Sequence, residues 1–124
     1  MTLKFIKEQS RWVDSWTTNL TSSLEESECG IVEGLDTSIN WQLGHMISSK
    51  YFHCIQSVLD KDSEIISDIC EKMPIPDFFR YYFAGSNPLD FWENRPSVQE
   101  LLEYKNMIDL TVHQVLDSLN EKSL

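Results

Sequence analysis

Basic residues are scarce in this 124-residue chain: 10 Lys and Arg stand against 20 Asp and Glu, a formal net charge of −10. A surface this acidic repels phosphate backbones and anionic lipid headgroups at long range, and no Lys/Arg cluster interrupts it. Neither nucleic acid nor a membrane surface is therefore an expected partner. Glycine and proline number four each, too few for a turn-rich β-sandwich or a low-complexity tail. The cysteines are Cys29, Cys54 and Cys70, an odd count with no CxxC spacing. That usage predicts reduced thiols in a cytoplasm, with structural rather than redox roles. No apolar run reaches the roughly 20 residues that a bilayer crossing needs. Lys4, Lys7, Glu8 and Arg11 break up any signal-peptide pattern at the start.

What the chain does have is apolar and aromatic residues at helical spacing. Hydrophobic residues make up 41% of it, including four Trp, six Phe and four Tyr, enough to bury a core. Three long segments carry the helical period. From Thr2 to Glu28, Phe5, Gln9, Trp12, Val13, Trp16, Leu20 and Leu24 recur every three or four residues, with Gly30 as the stop. From Ser38 to Leu59, the stripe is Leu43, Met46, Ile47, Tyr51, Cys54, Ile55 and Val58, with Thr37 and Ser38 as capping hydroxyls. Lys50 sits at the edge of that stripe, where its stem can pack and its ammonium can reach water. Gly44 costs about 1 kcal/mol relative to Ala inside a helix, which predicts a neighbour lying close against it. From Ser97 to Asn120, a Ser97–Glu100 capping box opens a face of Val98, Leu101, Leu102, Ile108, Val112, Val115, Leu116 and Leu119.

Residues 60–96 read as an elaborate connection. Ser63 to Lys72 is a short amphipathic helix that Pro74 and Pro76 end, and Asp77 to Ala84 adds another turn or two before Gly85. Its aromatic run, Phe78 to Phe83, is placed over one end of the bundle. With no period-two strands, the class is all-α: one domain over residues 1–124, an antiparallel helix bundle of three long helices and short connecting ones.

The stretch Asn40-Trp41-Gln42-Leu43-Gly44-His45 resembles the DinB-like superfamily, which carries a similar Asn-Trp-x-x-Gly-His at the start of its second bundle helix. Phe83-Ala84-Gly85-Ser86-Asn87-Pro88 is similar to the family's connection before its third helix, and the Ser97 box with Leu101-Leu102 fits that helix. The resemblance covers nearly the whole chain. It implies a four-helix bundle of a DNA damage-inducible family, often a homodimer. It further implies a divalent metal, zinc or nickel, held by three histidines. Known activities in such a family include thiol transfer and hydrolysis. His45 matches the first ligand. The other two lie in a His-x-x-x-His pattern on a last helix that this sequence lacks. The resemblance thus makes the chain a truncated piece, part of a longer protein or a degenerate member.

Each candidate site has a bland alternative. His45 is a metal ligand or a histidine bonded to a backbone carbonyl near a cap. His53, eight residues on, is turned about 80° and lies about 12 Å along the axis, too far to share an ion with His45. His113 and Asp117, with Asp109 in the same row, have the spacing for a ligand or base pair, but a solvated flank is the favoured reading. Phe78 to Phe83 lines a ligand pocket or completes a core, and Trp12 and Trp16 belong to a core or a dimer interface. Two functions follow as expectations. One is a metal-dependent transferase or hydrolase acting through His45. The other is a non-catalytic helical module that dimerises, or binds a partner, through an apolar groove left open by three helices without a fourth.

Overall fold

A computed structural model describes residues 2–119 of the chain. Among them are five α-helices: α1 (Leu3–Thr21), α2 (Ile39–Tyr51), α3 (Glu64–Lys72), α4 (Ile75–Tyr82) and α5 (Val98–Ser118). No strand occurs among the described residues; a lone bridge joins Val32 to Thr37.

The caps do what the hydroxyl and carboxylate spacing predicts. Ser38 Oγ accepts from Trp41 N at 2.9 Å. At α5, Glu100 N donates to Ser97 Oγ (3.1 Å) and Ser97 N donates to Glu100 Oε1 (3.2 Å). Glu26 reaches across to accept from Val98 N at 2.8 Å, so α5 starts with three of its free N–H groups satisfied.

Several boundaries differ from the expected ones. α1 ends at Thr21 rather than near Glu28, because Glu25 and Glu28 cap a separate 3₁₀ turn, Glu26–Cys29. α2 runs straight into one π turn, Phe52–Gln56, and Ser57 to Leu59 leave the helix. Pro76 does not end α3 but opens α4 at its second position, where its missing N–H is no loss. The expected end of the third long helix at Asn120 lies outside the described residues.

The core lies between α2, α4 and α5. Leu43, Ile47, Tyr51 and Ile55 face Phe78, Tyr82, Leu101, Ile108 and Val112, all buried. The aromatic run is therefore core rather than a cover. Phe78 meets Tyr104 edge-on at 5.5 Å, and Tyr81 stacks on Trp92 at 4.5 Å.

α1 joins this core the other way round. Its one buried residue is Leu3. The stripe of Phe5, Trp12, Val13, Trp16 and Leu20 is 46–63% exposed, so Trp12 and Trp16 are not core residues. The side turned toward α5 carries Asp14 and Thr18 instead, bonded to α5 side chains. α1 and α2 each pack on α5, and α2 reaches α1 through the Lys50–Asp14 ion pair. No helix among the described residues is long and apolar enough to cross a membrane.

Candidate functional site

The Asn-Trp-x-x-Gly-His stretch works as a clasp on α4. Asn40 donates through Nδ2 to Pro96 O (2.8 Å) and accepts from the Tyr82 hydroxyl at 2.7 Å. Trp41 Nε1 donates to Tyr81 O (3.0 Å) and Ser86 Oγ (3.1 Å). Gly44 lies flat beneath the Tyr82 ring: a Cβ there would sit 2.3 Å from two ring carbons, so the predicted close neighbour is this ring. His45 stacks on Trp41 with centroids 4.9 Å apart and planes 7° apart, and its Nδ1 is 2.9 Å from Tyr82 O. All four residues thus grip Tyr82 or its surroundings, and two of them satisfy carbonyls at the free C-terminal end of α4. Burial pushes the Tyr82 phenol well above its ordinary range, keeping it a neutral donor to Asn40.

A carbonyl only accepts, so Nδ1 of His45 carries the hydrogen and Nε2 is the ring nitrogen left for another partner. That is how ligating histidines are usually oriented, by a second bond at the far nitrogen. A metal site needs about three such donors. No group of three His, Cys, Asp or Glu suited to a metal ion occurs among the described residues, so His45 belongs to none. His53 is exposed, edge-on to Phe52.

The charged row on α5 is not a solvated flank. Asp109 is buried and anchors an ion cluster that draws in three helices. Lys50 of α2 donates to Asp14 Oδ1 (2.6 Å) and Asp109 Oδ1 (2.7 Å). Lys105 donates to Asp109 Oδ2 (2.5 Å), Thr18 Oγ1 (2.9 Å) and Asp14 O (3.1 Å). His113 Nε2 lies 2.9 Å from Asp14 Oδ2. Asp117 stays exposed and pairs with Arg11 and Lys7. Burial alone would lower the Lys50 pKa, but its hydrogen bonds to Asp109 and Asp14, with their charges, outweigh it and raise the pKa above the usual 10.5. Lys50 is therefore a fixed cation rather than a nucleophile, and its ammonium is held by carboxylates instead of reaching into water.

Periodicity singled out Asp109, His113 and Asp117 but missed Asp14 and Lys105. The signal for Lys105 was present: it stands in the otherwise apolar row Val98, Leu101, Lys105, Ile108, Val112, Val115, where a lysine requires a buried partner. No buried side-chain nitrogen or oxygen among the described residues lacks a partner.

Beside the cluster, α1, α2 and α5 line a groove of about 470 Å³, where Val13, Met46, Ile47 and Ile108 share the wall with Gln9, Ser10, Thr17 and the charged residues of the cluster. The outward stripe of α1 runs into this groove at Val13. Trp12 and Trp16 stack along the stripe with centroids 5.5 Å apart. No protein-family model, characterised protein or solved structure matches the chain.

Proposed function

We propose that this chain is a non-catalytic, DinB-like helical module that works by pairing with a second copy of itself through the apolar face of α1. One observation carries the reading: α1 turns Phe5, Trp12, Val13, Trp16 and Leu20 away from its own core. Three aromatics and two aliphatics at about half exposure present on the order of 500 Å² of apolar surface. That is the upper end of what monomers leave open, and not far below the roughly 800 Å² per partner of a standard interface. The charge also fits. On α1, Lys4, Lys7 and Arg11 outnumber Glu8 and Asp14, whereas the whole chain carries −10. This face is where two acidic copies can approach with least repulsion.

Light scattering after size exclusion tests the reading. A mass of twice 14.5 kDa is expected at micromolar concentration, with pairing strengthened by salt as the repulsion between acidic chains is screened. Trp16→Glu should return a folded monomer. A monomeric unaltered chain at every concentration and salt level would overturn it.

A second reading, a metal-dependent transferase or hydrolase of DinB-like type, has in its favour the His45 orientation that leaves Nε2 open to a ligand. The donor set among the described residues does not complete a metal site. Elemental analysis of the purified protein decides this reading. Zinc or nickel lost on His45→Ala supports it, and metal content indifferent to that change removes it.

A further inference from the structure

We infer that α2 and α5 present a carboxylate-receiving seat that α1 fills with Asp14, making α1 a strap that a carboxylate-bearing helix of a partner can displace. The inference concerns the inner side of α1. It goes beyond the self-pairing proposed for the outer side and does not rest on it.

The donors converge from two helices. Lys50 of α2 donates to one Asp14 carboxylate oxygen at 2.6 Å, and His113 Nε2 of α5 lies 2.9 Å from the other. Lys105, two turns before His113 on α5, donates to the Asp14 carbonyl and the Thr18 hydroxyl. The seat therefore reads a short helical pattern: a carboxylate with a hydroxyl one turn later. Without Asp14, Lys50 and Lys105 outweigh Asp109 and leave the seat one positive charge, on a chain of −10. Both ammoniums are largely shielded from water, and a shielded ammonium short of a carboxylate is costly. The seat thus favours exchange: α1 leaves when another carboxylate takes the place of Asp14.

Little else holds α1. Among the described residues, none of α1 belongs to the hydrophobic cluster built on α2, α4 and α5, and the buried Leu3 lies outside it. Lys7 and Arg11 add ties to Asp117, but that carboxylate is half exposed and such pairs contribute little. A replacement also has a way in. Two grooves of about 470 and 480 Å³ flank Asp14, one along Val13 and Thr17, the other along Ser15 and Thr18.

Amide exchange read by NMR on the isotope-labelled full chain, at concentrations where it is monomeric, tests the strap. The α1 amides should exchange as a block, faster than those of α2 and α5. An unlabelled peptide of residues 2–21 should speed α1 exchange in the unaltered chain, because it competes for the seat. The same peptide carrying Asp14→Ala should not. Pairing through the outer face would slow α1 exchange, so the sign separates the two proposals. In the chain itself, Asp14→Ala should speed α1 exchange at least about 10-fold while α2 and α4 keep their protection. If the α1 amides exchange only together with the core, or the two peptides act alike, α1 is a fixed part of the fold and the inference fails while self-pairing stands.

Discussion

Replacing Gly44 by alanine tests the packing of the Asn-Trp-x-x-Gly-His clasp with a single methyl group. The new Cβ would lie 2.3 Å from the Tyr82 ring, against an ordinary carbon–carbon separation of about 3.5–4.0 Å. The ring would have to retreat by more than about 1 Å. It cannot do so freely: it is fully buried, its hydroxyl donates to Asn40 at 2.7 Å, and Phe78 and Trp92 flank it at centroid distances of 5.2 and 5.5 Å. Overpacking of this kind costs about 1–3 kcal/mol. Losing the bond to the buried Asn40 amide adds about 1–3 kcal/mol. Against this, Ala gains about 1 kcal/mol over Gly in a helix. The expected result is a net destabilisation of about 1–5 kcal/mol, read as a lower urea midpoint at unchanged slope. In a Tyr82→Leu background the penalty for Ala should shrink, because the ring that forbids it is gone. Gly44→Ala as stable as the unaltered protein, or more stable by the propensity gain alone, would refute the close approach of Tyr82.

Other substitutions separate buried from surface charge. Asp109→Ala leaves Lys50 and Lys105 short of their shared partner and should cost about 3–5 kcal/mol by urea denaturation. Asp117→Ala removes exposed pairs to Lys7 and Arg11 and should cost under about 1 kcal/mol; equal losses from the two would contradict the burial assigned to Asp109. Ser97→Ala, removing the α5 cap, should cost about 1 kcal/mol in the same assay, and no loss would argue that Glu26 alone satisfies that end. Alkali should destabilise the fold through its raised groups, the buried Tyr82 phenol among them. Lys50 contributes stability that is full below its unfolded value of 10.5 and lost as pH climbs through its higher folded value. Tyr51, pushed by burial and then Cys70 from 10.0 to about 12, loses its contribution across that interval. The urea midpoint should therefore fall from about pH 10 upward, and a midpoint indifferent to alkali would show that none of these groups is held as described.

Much of the local structure was legible because its causes are local. Ser38, Ser97 and Glu100 cap helices through N–H groups three residues away, and a sequence displays that spacing directly. Gly44 announced a close neighbour, and the bland reading of His45 as a carbonyl-bonded, cap-adjacent histidine matches its bond to Tyr82. What stayed hidden depends on chain segments meeting from afar. Asp14 lies 36 residues from Lys50 and 99 from His113, so no window on the sequence joins them. Helical periodicity also gives the direction of a stripe but not which side faces inward. On α1 the apolar stripe invited the core assignment, yet the polar side carrying Asp14 and Thr18 is the one docked on α5. Lys105 could have been read: a lysine at the centre of an apolar row needs a carboxylate, and Asp109 follows one turn later.

The apolar face of α1 is surface rather than core. The most direct test is the urea midpoint of a Trp12→Ser, Trp16→Ser double variant, measured at concentrations where both proteins are monomeric. Two tryptophans deleted from a core would each cost about 3–5 kcal/mol and unfold most domains of this size. With Trp12 and Trp16 at 58% and 57% exposure, the pair should together cost well below the loss of two core tryptophans, about 1–2 kcal/mol, with unchanged helical content. A fall of several kcal/mol, or loss of the fold, would place α1 the other way round and contradict the account.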